Sequence, residues 1–539
     1  MGLTTISKWK RRLHECIDKD KAICKPRDFP TTRDVYTLRK LLKDCVIGQI
    51  DKNPGEFSIC CPCIYKEACE AAYLDNEGYQ EVYPKKLKKK EKEEHKDNLP
   101  LQVESLTKVE GKQAGTEQDV IKSWAAYYRK QKWNKFAAFN YKGGFNQPYV
   151  LFKAKHITDP YKRQEKWKTA TRPIAPGTKH PMRRLLHLAG RAWFFMVKHY
   201  KGEHFAIQTS QEVPKTIQEM HKQLCQRLNP GDQVEAVVKD IKGCYPNMPK
   251  TAIKRALKQI VEDLRKENYN GIFVPRRGRQ QPCQWKVKGA TNKSTWKYVW
   301  MPFQSLLDIA DFSLDHAIVK LQNTLYKQIS GIPMGDPLSP GMTIGTCCWM
   351  ENKWMQGVQD KDKQTFRAKR YMDDILIWSI RSVEEQGTDI IERLQASECY
   401  WPPLELEDAG KDTFLETRFM IKDNNLRTWL KNDNEIENKI WRYQDFRSYG
   451  KYLQKKAIIQ TALRKVHHMA SDNGMLIKSA LDKLREFANV GYPVGVRRFV
   501  CVGLGYETGN DTWFIVSKMQ KYLNDDEHLH YRKAHTRCG

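Results

Sequence analysis

A chain of 539 residues has room for two to four domains of about 100–200 residues each, and its 93 Lys and Arg against 64 Asp and Glu leave a formal net charge of +29. The excess is spread along the chain rather than held in one tail. That pattern points to a polyanionic partner, nucleic acid before others, over a ribosomal-type or merely soluble basic protein. No apolar run reaches the roughly 18 residues of a membrane span, and the start has no apolar signal-peptide core. The scattered, odd-numbered set of 15 cysteines predicts a reducing intracellular compartment without disulfides. "MGLTTIS" falls short of a myristoylation signal because Ile6 stands where Ser or Thr is required.

Residues 1–83 form a Cys-rich N-terminal region of unknown role. Its "CCPCIYKEAC" segment, residues 60–69, offers Cys61, Cys63 and Cys69, with Cys45 or Cys24, as ligands for a structural zinc ion; buried free cysteines are the alternative. Residues 84–118 are charged and poor in aromatics, so they read as a linker. The Lys85–Lys90 run within it is either a solvated stretch or a nuclear-import signal, which leaves a nuclear location open.

From 119 onward the pattern is mixed α and β. Helical periodicity covers "DVIKSWAAYYRKQKWNKFAAF", "LLHLAGRAWFFMVKHY" and "PKTIQEMHKQLCQRL", and the last leads into the apolar strand "QVEAVVKDI". Pro249 opens a further helix. "SLLDIADFSLDHAIVKLQ" and "SPGMTIGTCCWMENKWMQG" also read as helices, and "KDTFLETRFMIKDNNLRTWLKN" as two strands joined by an Asp-Asn-Asn turn. Beyond 445 the chain is helical, through "YGKYLQKKAIIQTALRKVHHMA" and "MLIKSALDKLREFANV".

The chemistry begins at "RYMDDILIW", residues 370–378, where Asp373 and Asp374 interrupt an apolar run. Buried carboxylates are costly unless compensated. A hairpin would hold both at a sheet edge, although Asp also suits an ordinary turn. "EAVVKDIKGCY" sets Asp240 at the end of another apolar strand, and two such strands side by side supply carboxylates for a pair of Mg²⁺ ions about 3.5–4 Å apart, suited to phosphoryl or nucleotidyl transfer. Between them, "GIPMGDPLSPG", residues 331–341, uses Gly331 and Gly335 for close backbone approach, with Ser339-Pro340 fit to begin a helix.

"VVKDIKGCY", "YKQISGIPMGDPLSP" and "RYMDDILIW" resemble, in order, motifs A, B and C of the reverse transcriptase palm. "RPIAPGTKHPMRRLLH" is similar to a fingers segment, and "FLETRF" with "LRTWLKN" to the strand pair that holds the primer end, so the likeness covers about residues 165–435. It implies an α+β right-hand polymerase: fingers and palm over 119–435, the palm an antiparallel sheet backed by helices, then a helical thumb and basic tail over 436–539. The helical tail and the strand pair look most like Penelope-like retroelements, relatives of telomerase; "IPMG" with "LSP" also resembles a hepadnaviral loop, and "DIKGCY" the group II intron type.

The resemblance also implies roles. Asp240 and Asp373 would ligate two Mg²⁺ or Mn²⁺ ions with Asp374 supporting and Ile241 offering its backbone carbonyl. Tyr245 would block a ribose 2′-OH, and Arg172 would grip the incoming triphosphate. Gln328, Met334 and Gly335 would flank the nascent pair, Lys179, Arg183 and Arg184 would meet template or phosphate, and Lys411 is a candidate general acid. The partners implied are an RNA template, a DNA or RNA primer and dNTPs. No GIY-YIG endonuclease or RNase H is legible, so the expectation is a nick or free DNA end made by something else, a separate endonuclease being one source.

Two segments fall outside the motifs. Residues 276–300 are basic with interleaved Trp and Tyr, suited to binding template or else a solvated hairpin. "HLHYRKAHTRC" offers His528, His530, His535 and Cys538 either to zinc or as a basic tail. Rival readings are an RNA-dependent RNA polymerase, which Tyr245 disfavours because such enzymes carry an Asp at that place, and a non-catalytic RNA scaffold, which retention of all three aspartates disfavours.

Overall fold

The computed structural model describes residues 32–51, 53–84, 106–107, 116–145, 147–153, 170–276, 281–289, 294–381, 389–432, 443–448 and 450–520. Cys24, the Lys85–Lys90 run, most of the 84–118 linker and the His528–Cys538 tail lie outside them. The described residues fall into two compact units. One draws on Lys66–Leu151 and Glu165–Lys411, the other on Met1–Tyr65, Phe152–Gln164 and Asp412–Gly539.

The first unit is built on a four-stranded antiparallel sheet. Its strands are β1 (Gln233–Ile241), β2 (Phe366–Tyr371), β3 (Asp374–Arg381) and β4 (Leu406–Gly410), in the order β2-β3-β1-β4. In β2 the buried residues alternate, Phe366, Ala368 and Arg370 facing inward. In β3, Ile375, Leu376, Ile377 and Trp378 are all buried, so this strand is covered on both faces. Around the sheet lie α1 (Arg183–Lys198), α2 (Val213–Cys225), α3 (Lys250–Lys266), α4 (Phe303–Asp315) and α5 (Ser339–Gln356). Helix α2 packs on β1, β2 and β3, and its His221 meets the Trp378 indole edge-on at 5.5 Å. Helix α3 presents one apolar stripe, Ala252, Ile253, Ala256, Leu257, Ile260, Val261 and Leu264. Helix α5 is buried on every side from Gly341 to Glu351 and packs against both α1 and α3. It is the central pillar of this core.

Two expectations change here. The helix read through "SLLDIADFSLDHAIVKLQ" stops at Asp315, and Ile318–Leu321 forms a hairpin with Thr324–Gln328. β-branched Ile318 and Val319 favour a strand, and Gln322, at φ 55°, closes the turn. Nor do residues 1–83 stand apart: Tyr79–Pro84 adds antiparallel to Thr324–Gln328, so that stretch is part of the first unit. Tyr269–Pro275 is the middle of a three-stranded sheet between Gln284–Val287 and Tyr298–Pro302. Within that basic segment Trp296 is 82% exposed with Lys297 over its ring at 4.9 Å, whereas Lys286 is buried beside Trp300.

In the second unit β5 (Thr417–Lys422) and β6 (Asn425–Leu430) form the expected hairpin. Asp423 and Asn424 both adopt left-handed φ, 51° and 56°, as a two-residue turn requires. These strands group with the helices that follow, in the unit that includes Asp412–Gly539. Helices α6 (Tyr452–Met469), α7 (Asn473–Asn489), α8 (Val494–Thr508) and α9 (Thr512–Met519) share a core of Ile459, Leu463, Leu484, Phe487, Leu504 and Trp513. Thr428 ties β6 to α6 by donating to the Met469 carbonyl at 3.0 Å, and Asp472 caps α7 through the Met475 amide at 3.0 Å. No helix among the described residues is long and apolar enough to cross a membrane.

A candidate metal-carboxylate site on the central sheet

Between β2 and β3 the chain reverses in two residues, Met372 and Asp373, with Tyr371 paired to Asp374 across the turn. Met372 takes φ 58°, a left-handed conformation unusual for a long side chain. The neighbouring strand locks this tip, because the Ile241 amide donates to the Asp373 carbonyl at 2.9 Å. One residue on, Asp374 stands directly opposite Asp240 in the β3–β1 register. On the other side of Asp240, Glu407 of β4 is its direct partner. Residues directly opposite across antiparallel strands share a face, so three acidic side chains line one level of the sheet, with Asp373 at the adjoining turn. Like charges in that arrangement repel and favour a cation between them. On the opposite face Lys239 is paired with Asp408 at 2.7 Å, so it does not neutralise this row.

The loop at 331–336 lies against the same place. The Ile332 amide donates to the Tyr245 carbonyl at 2.8 Å. Gly331 has φ 69°, and a Cβ there would fall 2.3 Å from the Pro246 oxygen. Only glycine permits this contact. Tyr245 is half-buried beside the turn; burial, then the charges of Cys244 and Asp373, push its phenol pKa up. The far side of the loop meets the strand Thr171–Ile174, where Arg172 is half-buried, and the Ala175 amide donates to Met334 at 2.7 Å. Gly335, at φ 117°, is exposed, with its backbone against Ala175. Lys179, Arg183 and Arg184 are exposed at the start of α1, and Lys411 is exposed just beyond β4.

One expected role does not fit its surroundings. Gln328 is 3% exposed, donates to the Ser330 carbonyl at 2.9 Å and meets the Tyr79 hydroxyl at 3.5 Å. Its side chain is committed to the loop's own structure, so it shapes the loop rather than flanking a base pair. Of the zinc candidates, Cys24 lies outside the described residues. Cys61 and Cys63 are exposed with sulfurs 2.7 Å apart, while Cys69 is buried in the helix Pro62–Tyr73. Among the described residues no metal-ligating trio includes any of them.

Beneath the turn is a polar network that no local sequence pattern announced. Arg370, Glu351 and Tyr400 are buried. The Arg370 guanidinium donates from Nε and Nη2 to the two Glu351 oxygens, the latter at 3.2 Å, and from Nη1 to the Met372 carbonyl at 2.8 Å. Glu351 also accepts from the Tyr400 hydroxyl and the Phe205 amide, each at 2.9 Å. Burial works against the Arg370 charge, but the Glu351 carboxylate and then the Cys347 and Cys348 thiols hold its pKa well above the ordinary value. His204, Cys348 and Glu351 place potential ligand atoms within 4.8 Å of one another. They are not a metal centre, because both Glu351 oxygens are taken and the adjacent guanidinium repels a second cation. The trio is part of an ion-pair network.

No protein-family model matches the chain, and no curated protein matches it. Among solved structures it is similar to telomerase from Candida albicans in complex with a TWJ fragment of telomeric RNA. The identity is 12%, covering 77% of this chain and 66% of that one, with a TM-score of 0.43. It is also similar to apo telomerase from Candida tropicalis, at 12% identity, 90% and 73% coverage and a TM-score of 0.41. The Sicinivirus 3Dpol RNA-dependent RNA polymerase matches at 12% identity over 57% of this chain and 54% of that one, with a TM-score of 0.27.

Proposed function

We propose that this chain is an RNA-directed DNA polymerase of the reverse-transcriptase type, extending a DNA or RNA primer with dNTPs on an RNA template. The observation that carries the reading is the register that sets Asp374 opposite Asp240 with Asp373 at the adjoining turn, within motifs that resemble that family's A, B and C. In this reading the central sheet is the palm, helices α6–α9 are the thumb, and the Arg172 and Lys179–Arg184 segments belong to the fingers. The motif details favour a Penelope-like element.

Asp240, Asp373 and Asp374, with the Ile241 carbonyl, suit hard divalent cations such as Mg²⁺ or Mn²⁺, since every donor is oxygen. When bound, two such ions lower the pKa of an attacking hydroxyl and neutralise charge on a leaving phosphate. The aspartates would hold the ions at the primer end; the 3′-oxygen, its proton passed to solvent, bonds to the dNTP α-phosphorus as the α–β P–O bond breaks and pyrophosphate departs. Tyr245 fills the space a 2′-hydroxyl would need. Arg172 orients the triphosphate, Met334 and Gly335 border the new pair, and Lys411 donates a proton to the pyrophosphate.

The test is extension of a DNA primer on an RNA template by purified protein, with parallel dNTP and rNTP reactions. DNA product supports the reading. RNA product instead would move the assignment to an RNA polymerase, and no product from a folded, RNA-binding sample would favour a scaffold.

A further inference from the structure

We propose that Arg370 is a positioning residue for the metal-binding turn, acting on Asp373 through the Met372 carbonyl. The inference rests on the reading of Asp240, Asp373 and Asp374 as metal ligands. Two hydrogen bonds bracket Asp373. On its N-terminal side Arg370 Nη1 fixes the Met372 carbonyl at 2.8 Å; on its C-terminal side the Ile241 amide fixes the carbonyl of Asp373 itself at 2.9 Å. Both peptide planes that set the direction of the Asp373 side chain are thereby held. Rotation of the first plane, through ψ of the left-handed Met372 (φ 58°) and φ of Asp373, would re-aim the Asp373 side chain. Only the bond from Arg370 opposes that rotation among the contacts described for the Met372 carbonyl.

Arg370 is itself immobilised. It has 0% exposure, its own amide donates to the Phe205 carbonyl at 2.6 Å, and its carbonyl accepts from Ile207 at 2.8 Å. Glu351 orients the guanidinium and is in turn held by Tyr400 and the Phe205 amide. Helix α5, β2 and two loops thus converge on the orientation of one peptide group. Lysine at 370 keeps the charge for Glu351 but lacks the planar fork that reaches both the carboxylate and the carbonyl.

The test uses the full chain bound to an RNA–DNA template–primer, with Mn²⁺ binding read by electron paramagnetic resonance alongside thermal unfolding and template–primer affinity. Arg370→Lys is expected to weaken Mn²⁺ binding about tenfold or more while template–primer affinity holds, the scale seen when a group supporting a metal ligand is lost. Tyr400→Phe, which spares the bond to Met372, is expected to lower the unfolding temperature and leave Mn²⁺ affinity within about twofold. A folded Arg370→Lys protein that binds Mn²⁺ like wild type would reduce Arg370 to a core ion pair and overturn the proposal. If that variant does not fold, Glu351→Gln, which loosens the guanidinium with a neutral isostere, takes its place with the same two outcomes. Asp373→Asn separates the two claims: wild-type Mn²⁺ binding by that variant would remove the metal-site reading itself.

Discussion

Asp240 and Asp374 are direct cross-strand partners at the end of the central sheet, although 134 positions separate them in the chain. Neither carboxylate is near the other in any local pattern; β1 and β3 must pair in one register for them to meet. A slip of one residue would move Asp374 to the opposite face. The bond from the Ile241 amide to the Asp373 carbonyl fixes that register at the turn.

In the proposed reading the aspartates act as a unit, so removing one should cost about as much as removing two. Asp240→Asn is expected to lower primer extension on the order of a thousandfold. The double variant Asp240→Asn/Asp373→Asn should fall little further, and template–primer affinity should hold. Steady-state extension rates across the three proteins check this.

In the proposed reading the Tyr245 ring excludes a 2′-hydroxyl, and its backbone carbonyl is held by the Ile332 amide. Tyr245→Ala should raise the rNTP-to-dNTP incorporation ratio about 10–200-fold, the range available to a steric pocket. Single-nucleotide competition on one template measures it. An unchanged ratio would leave Tyr245 as a packing residue.

Gly331→Ala places a Cβ 2.3 Å from the Pro246 oxygen at a φ of 69°. The left-handed backbone alone costs about 1–2 kcal/mol, and the clash falls on backbone rather than on a side chain that can move away. The variant should lose extension activity more than it loses template binding, because the displaced segment carries Tyr245. Gly289, at φ 84° with open space around its Cβ, is the matched control and should lose only the backbone cost.

His180 and His316 flank Trp124 at 5.4 and 5.9 Å, and burial pushes each pKa down to about 4. His180 is neutral at Nδ1, which accepts the Met182 amide at 3.1 Å. The unfolded chain therefore binds more protons than the folded one between about pH 4 and pH 6.5. Stability should fall as pH drops through that window and be level above it. Unfolding followed by tryptophan fluorescence at several pH values tests the slope, and His316→Gln should reduce it by about half, leaving the His180 share.

How much of this was legible in the sequence depended on range. Strand β1, helices α3 and α5, and the Asp423–Asn424 turn follow from local periodicity and turn chemistry, and the three aspartates from motif order. Glu407 was missed because the alternation of Leu404 to Glu407 is only four residues long and breaks off at Asp408-Ala409-Gly410, and only pairing with β1 brings Glu407 beside Asp240. The Arg370–Glu351–Tyr400 network spans three distant segments, so no window contains it. Gln328 illustrates the reverse: its position beside the glycine loop suggested a contact role, and its burial under Tyr79 was invisible because that partner lies 249 residues away.

The most direct test of the account is extension of a DNA primer on an RNA template in Mg²⁺ by wild type and by Asp373→Asn, with template–primer binding measured on the same samples. DNA product from wild type alone, with equal binding, is the predicted result. Extension by Asp373→Asn at the wild-type rate would contradict it.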